Sequence, residues 1–355
     1  MNWRKQFEPP GHGSRLDKTS RSSESGREGN NRMGTQFVDL HAAADFMGPG
    51  AIEIDRYQTE IFDIVRRRAP FGQRIKNIPA TGHPSRFFEQ TAIASPTAAN
   101  GFVDPRNIVA AVNSPTRVER SVPLKALVSQ INYNLFDIEV GQQQEQFAFL
   151  QAKDLADAVV GVMRTHDVAL WNGNDTSLSA PTTMQYYGAA QQINDGGQVV
   201  TVPTTESIVD GLKSQVAAMV SNSSFEVRPT AIYSSPVLLD LIDREMKQEF
   251  NIVLSTTQVA GGLTVKTLST QAGELPLIPD WSLTYTGTPG SGTASLPAYI
   301  VTEDLIEYHW LTDANPRVFQ LGLAGALARQ LVIVKFGAVV VKGAGYAHSK
   351  VTVTR

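Results

Sequence analysis

Chemistry in this chain has few residue types to draw on. There are no cysteines, which removes disulfides, thiolate metal sites and thiol nucleophiles together. The six histidines are His12, His41, His83, His166, His309 and His348, and no two stand at the i, i+4 spacing of a helical zinc site. Gly343-Ala344-Gly345 opens like a dinucleotide fingerprint, but strand-like sequence flanks it on both sides. That motif requires a helix N-terminus to receive the pyrophosphate. Gly290-Ser291-Gly292 lacks the strand-to-helix turn of a nucleophile elbow. The densest acidic cluster, Asp240, Asp243, Glu245 and Glu249, reads as the solvated face of a helix. Arg66-Arg67-Arg68 reads as a complement to a helix C-terminal dipole rather than a phosphate site. No catalytic, cofactor-binding or metal-ligating residues are therefore assigned, no cofactor is expected, and an enzyme is not expected.

The elements that would have to position any site have a clear order. Residues 9–36 are mostly Pro, Gly, Ser, Asn and Arg, the composition of a segment that does not fold by itself. Ala51 to Arg68 carries Ile54, Tyr57, Ile61, Ile64 and Val65 at helical spacing, with Pro70 ending the helix. Residues 70–120 hold six prolines and no helical period. Fifty such residues predict an extended excursion from the body rather than an ordinary connection. Strand-like sequence returns over 122–140. One long amphipathic helix follows at 145–170, with Leu155, Ala158, Val159, Val162, Met163 and His166 on its apolar stripe. It is expected to stop at Asn172-Gly173, two residues that tolerate the left-handed conformation.

Further on, the spacing predicts a helix over 205–221 capped by Thr204 or Thr205, a buried strand at Ala231–Tyr233, and a helix from Val237 to Glu249 opened by Pro236. Short strands are expected at 263–267, 281–285, 298–301, 331–334, 338–341 and 351–354, with an exposed tip at 286–295.

Composition narrows the function classes. The chain has 355 residues, 42% of them hydrophobic, enough for a substantial core. Only 18% are charged, against roughly 25% in typical soluble domains. Low charge density suits a surface covered by partners. Net charge is −3, which argues against a broadly basic nucleic-acid binder. Residues 1–35 carry seven Lys/Arg against four acids. The remainder is therefore net −6 (−3 less +3). No apolar run approaches the roughly 18 residues of a membrane span, and no signal peptide is expected.

The order of parts resembles the major capsid proteins of tailed bacteriophages, the HK97-like fold. The residues that carry the resemblance are the spine end Ala169-Leu170-Trp171-Asn172-Gly173-Asn174-Asp175, followed by the Pro181 turn, and Thr230-Ala231-Ile232-Tyr233-Ser234-Ser235-Pro236 leading into a helix. The resemblance implies an α+β fold with an N-terminal arm (1–50), a peripheral-domain helix (51–69), an extended loop or E-loop (70–120) and a peripheral domain (121–199) with its spine helix at 145–170. It further implies an axial domain (200–300) and closing strands (301–355). The implied function is a structural subunit that self-assembles, as pentamers and hexamers, into an icosahedral shell around double-stranded DNA contacted non-specifically. Implied partners are a separate scaffolding protein, a portal and decoration proteins; the implied location is the virion, assembled in the host cytoplasm. An encapsulin-like compartment shell, or another virion structural protein, is the alternative. Some relatives join a lysine to an asparagine between subunits, for which Lys76 or Lys125 are the candidates here.

Overall fold

The computed structural model describes residues 69–96, 101–106, 112–134, 136, 139, 150–248, 254–259, 263–324 and 328–355. The chain divides into two units, 1–61 and 62–355, and every described residue lies in the second. The expected arm (1–50), the helix at 51–68 with its three arginines, and the first residues of the spine helix fall outside the described residues.

The larger sheet has seven strands in the order β5 (Val199–Val202), β14 (Ser349–Thr354), β10 (Ser295–Val301), β6 (Ala231–Ser234), β9 (Gly273–Pro279), β8 (Leu263–Thr270) and β7 (Thr256–Val259). The β5/β14 and β6/β9 pairs are parallel and the others antiparallel. Its central strands are buried on both faces, which is why β6 reads as Ala-Ile-Tyr-Ser without a polar alternation. On one face Ile232, Leu277, Ala298, Ile300, Val351 and Val353 join Leu212 and Val216 of helix α4 (Ile208–Val220) and Leu238 and Ile242 of helix α5 (Pro236–Gln248). On the other face Ala231, Tyr233, Tyr299 and Val301 join a second core around Phe71, Leu170 and Trp171. Phe71 lies in α1 (Pro70–Arg74); Leu170 and Trp171 end the long helix α2 (Leu150–Asn172). At about 1.5 Å per residue, α2 is a rod of about 34 Å.

The second sheet is organised by one long strand, β13 (Ala328–Val341). Strand β4 (Lys125–Asn134) pairs along one side of it. On its other side lie β11 (Ile306–Trp310) and then β12 (Arg317–Ala324). Strand β1 (Lys76–Pro79) adds to β11 in parallel. Helix α2 packs on β4 and β13, and a short helix α3 (Ala189–Asp195) packs between α2 and the two sheets. Among the described residues no helix is long and apolar enough to cross a membrane.

Several expectations need correction. Pro70 opens a short helix of its own, α1, since a first-turn proline sacrifices no intrahelical hydrogen bond; whether it also ends the helix expected at 51–68 lies outside the described residues. With β1 also in the body sheet, the excursion does not begin at residue 70. It begins near Ser85, where β2 (Ser85–Ala92) and β3 (Thr116–Val122) form a separate antiparallel two-stranded ribbon. The cap of α4 is Ser207, whose side chain accepts from the Asp210 N–H, rather than Thr204 or Thr205. The segment 281–285 is a turn, not a strand: the Asp280 carboxylate takes both the N–H and the hydroxyl of Ser282. The strand lies just before it, as β9. The separate strands expected at 331–334 and 338–341 are one strand, β13.

Candidate assembly surfaces and the polar knots behind them

The end of α2 is built by close approach. Gly173 has an ordinary backbone conformation, so the left-handed geometry expected of it is not what selects glycine. A Cβ at Gly173 would lie 2.3 Å from the Tyr186 carbonyl oxygen and 2.8 Å from that of Ala169; no larger residue fits without moving backbone. Around it, Trp171 is fully buried, stacked on Phe71 with ring centroids 4.0 Å apart, and donates from Nε1 to Asp280 at 3.2 Å.

Two residues further, Asp175 anchors the following loop. Its Oδ1 accepts from the N–H groups of Thr176 (2.9 Å) and Thr182 (2.8 Å) and from the Thr182 hydroxyl, while Oδ2 meets Lys125 Nζ at 2.9 Å. Burial alone would raise the Asp175 pKa, but Lys125 and these donors outweigh it and hold the carboxyl well below its usual range. Lys125 is thereby paired within the chain, its ammonium also bonded to the Thr183 carbonyl. Lys76 is half-exposed and paired with Asp304 at 2.9 Å.

The β2–β3 ribbon stands apart from both larger sheets. A two-stranded ribbon is marginal alone in water, and this one is laced by cross-strand polar pairs: Arg86 to Glu119 at 3.0 Å, Arg120 to Glu89 at 3.2 Å and Arg117 to Gln90 at 3.2 Å. Its inner face carries Ser85, Phe87 and Glu89; its outer face carries Arg86, Phe88 and Gln90. Phe88 is 71% exposed, and Ile93, Phe102 and Val112 in the connecting segment are exposed as well. A second uncovered apolar set lies where β12 and β4 border β13, at Phe319, Leu321 and Val128.

At the ribbon root stands a constellation that the sequence did not disclose. Ser85 Oγ lies 2.9 Å from His309 Nδ1, His309 Nε2 lies 3.0 Å from Glu307 Oε2, and Lys342 Nζ lies 2.6 Å from the same oxygen. Serine, histidine and carboxylate in series are the parts of a nucleophilic triad. Here Ser85 is only 1% exposed, so no substrate reaches it and the chain of bonds is a structural one. The signal available in sequence was the two-residue spacing of Glu307 and His309, which puts both on one face of a strand.

The other singled-out residues are scattered. His166 is buried edge-on against Tyr308 (4.6 Å) and Tyr186 (5.7 Å). His83 accepts from the Leu124 N–H. His348 is wholly buried, accepting at Nδ1 from Thr302 N–H and donating from Nε2 to the Lys342 carbonyl; burial pulls its pKa down to about 4. His12 and His41 lie outside the described residues. The acidic helix face is not simply solvated. Asp243 is buried between Lys247 and Lys266, each at 2.6 Å. Glu245 caps the neighbouring helix, accepting from the Ser207 hydroxyl and from the Ile208 and Val209 N–H groups at 3.0 and 3.2 Å. Asp240 alone of the described three is exposed, paired with Arg244. Gly343 heads the turn after β13 and donates its N–H to Glu89, and Gly290-Ser291-Gly292 is an exposed tip. Among the described residues no group of three or more potential metal ligands comes together.

No family model and no curated protein matches the sequence. Solved structures do match in shape. A chain from Microbacterium phage Oxtober96 aligns with a TM-score of 0.58 at 11% identity, over 88% of this chain and 98% of that one. The capsid of the native GTA particle aligns with a TM-score of 0.55 at 10% identity, over 86% and 97%. The holo-SrpI encapsulin complex from Synechococcus elongatus PCC 7942 aligns with a TM-score of 0.52 at 11% identity, over 87% and 94%. At such identities the likeness speaks for fold, and it runs nearly end to end in each case: the chain has the HK97-like fold of capsid and encapsulin shells.

Proposed function

We propose that this protein is the major capsid protein of a tailed phage, a structural subunit that assembles with its own copies into an icosahedral shell around double-stranded DNA. The observation that carries the reading is the near-complete match in fold to a capsid chain. The uncovered apolar residues of the ribbon and of the β4–β13–β12 region are where copies would meet. In this reading residues 85–122 are the working part of the extended loop, α2 is the spine of the peripheral domain, and α4, α5 and the seven-stranded sheet form the axial domain. A shell needs many modest contacts that sum through multivalency, and an arm-like ribbon reaches surface on a neighbour that a rounded body does not. A scaffolding protein, a portal and decoration proteins are the further partners proposed, with the virion as the location. A net −6 over residues 36–355 suits a lining that does not trap the packaged DNA.

The encapsulin match supports a second reading, a compartment shell. Sedimentation and negative-stain electron microscopy of the purified protein, alone and with a scaffolding protein, test both. Closed shells or rings of five and six copies support assembly, and nuclease-protected DNA in particles made during infection separates a capsid from a protein-filled compartment. A stable monomer under every condition overturns both readings.

A further inference from the structure

We propose that the pocket between the end of α2, helix α3 and strands β10 and β14 binds a carboxylate group, with Lys350 as its counter-ion and Tyr299 as a hydrogen-bond donor. The inference concerns the single chain and stands whether or not copies assemble.

The pocket has a volume of about 420 Å³, and Asn174, Gln191, Asn194, Tyr299 and Lys350 are among its lining residues. Tyr299 and Lys350 are register partners across β10 and β14, so both side chains rise from the same face of the sheet. The Lys350 ammonium reaches an amide oxygen, Asn194 Oδ1 at 3.3 Å, and among the described residues no carboxylate pairs with it. Tyr299 is only 5% exposed, with its ring centroid 5.0 Å from that of Trp171, and its hydroxyl has no partner among the described residues. A polar group buried to that degree ordinarily has one. Burial pushes the Tyr299 pKa up to about 12, so at neutral pH the hydroxyl keeps its proton and is available to donate.

The two asparagines point to the same chemistry. The side-chain oxygen of Asn194 already faces Lys350, and that of Asn174 accepts from the Thr183 hydroxyl at 2.9 Å. Each keeps an amide NH₂ that meets no acceptor among the described residues. An ammonium, a phenol and two amides are best satisfied by an anion with several lone pairs.

Two carboxylates stand nearby and are engaged elsewhere. Asp175 is buried against Lys125 and accepts from Thr182, and exposed Asp195 accepts from Tyr187 and Gln191. With Lys125 neutralised by Asp175, one ammonium is left to balance the ligand. That matches the single charge of a carboxylate better than the charge of about −1.5 to −2 on a phosphate group. The carboxylate belongs either to a small acid or to an acidic side chain of a polypeptide. Lys350 also stands beside the last turn of α3, where a cation complements the helix end. That role needs no ligand, and the experiment separates it from binding.

Lysine footprinting of the full-length chain tests the site in place. The protein is acetylated with an activated ester at pH 7.5, with sodium propionate replacing sodium chloride at constant ionic strength, and each lysine is followed by peptide mass spectrometry. Propionate is expected to slow acetylation of Lys350 saturably, by at least about fivefold, while propionamide does not and Lys76 is unchanged. Tyr299→Phe keeps the ring and removes the donor, so half-protection is expected to need about tenfold more propionate. A capped peptide containing one glutamate, set against its glutamine counterpart, identifies the source. Protection at a lower concentration than propionate supports a polypeptide side chain, and protection at an equal or higher one supports a small acid. Equal labelling of Lys350 in propionate and propionamide overturns the proposal and leaves the lysine as a complement to the helix end. Stronger protection by inorganic phosphate than by propionate overturns the choice of a carboxylate. An unchanged half-protecting concentration in Tyr299→Phe overturns the part given to Tyr299. If that variant does not fold, the wild-type comparison of propionate with propionamide decides alone.

Discussion

The seven-stranded sheet and the β2–β3 ribbon are held together by opposite means. The sheet is covered on both faces: Leu212, Leu238 and Ile242 close one side, and Phe71, Leu170 and Trp171 close the other. Its stability comes from area removed from water, about 25 cal/mol per Å², and does not depend on neighbours. The ribbon buries little of its own. Its strands are laced by exposed ion pairs, each worth about 0–1 kcal/mol, and Phe88 on its outer face is left exposed. One region is finished by folding, whereas the other keeps an apolar surface that the described residues do not cover.

The sharpest way to break that contrast is at Trp171. Truncation to alanine removes a fully buried ring stacked on Phe71 and tilted against Tyr299 and should cost about 4 kcal/mol in urea unfolding. A loss below about 1 kcal/mol would mean that the second core is far looser than its packing implies. Acid comes next. His348 is buried neutral, with its pKa lowered to about 4, from an ordinary value of about 6.5. A group whose charged form is disfavoured on folding contributes fully above its unfolded pKa and loses that contribution as pH falls toward the folded one. Between about pH 6.5 and 4 the body should therefore lose about 3 kcal/mol, and His348→Asn should flatten that part of the profile. An unchanged slope in the variant would assign the acid loss to other groups.

What could be read from sequence divides along the same line. The helices α2, α4 and α5 and the strands β10 and β14 were legible because a core face imposes a period on the residues that line it, and β6 because burial on both faces leaves an apolar run. The segment Trp281–Tyr285 has strand-like residue types, yet Asp280 bonds Ser282 and folds the chain into a turn; a side-chain contact two residues away outweighed propensity. Strand β9 was illegible for the converse reason, since Pro276 and Pro279 argue against a strand that the sheet nonetheless accommodates. The polar knots were not readable at all. Ser85 and His309 stand 224 positions apart, and Lys125 and Asp175 stand 50 apart. Glu245 has the composition of a solvated helix face and the job of a cap on another helix. Only the shared face of Glu307 and His309 left a trace.

Glu245 measures how far polar bonds hold the covered region. Replacing it with glutamine removes the charge at the α4 N-terminus and weakens its bonds to the Ser207 hydroxyl and the Ile208 and Val209 N–H groups. A loss of about 1–2 kcal/mol is expected in thermal or urea unfolding. That is smaller than for Trp171, because the helix keeps its apolar stripe. No loss would show that Ser207 caps α4 unaided.

The smallest effect on folding should fall on Phe88, and there the comparison is decided. Phe88 lies on the outer face of the ribbon, flanked by the Arg86–Glu119 and Arg117–Gln90 pairs. An aromatic ringed by charged and polar groups is the arrangement of an interface anchor. In the dissociated subunit Phe88→Ala removes almost no buried contact and should shift stability by less than about 0.5 kcal/mol. In the assembled shell the same truncation should cost about 2 kcal/mol per contact, roughly a 30-fold weaker association, and raise the concentration needed for assembly. Trp171→Ala and Phe88→Ala should thus act on different steps, the first on folding and the second on association. If Phe88→Ala lowers the unfolding midpoint of the free subunit as much as a core truncation does, the ribbon belongs to the fold. If it assembles at the wild-type concentration, the outer face of the ribbon is not where copies meet, and the apolar set of β12 and β4 becomes the surface to test.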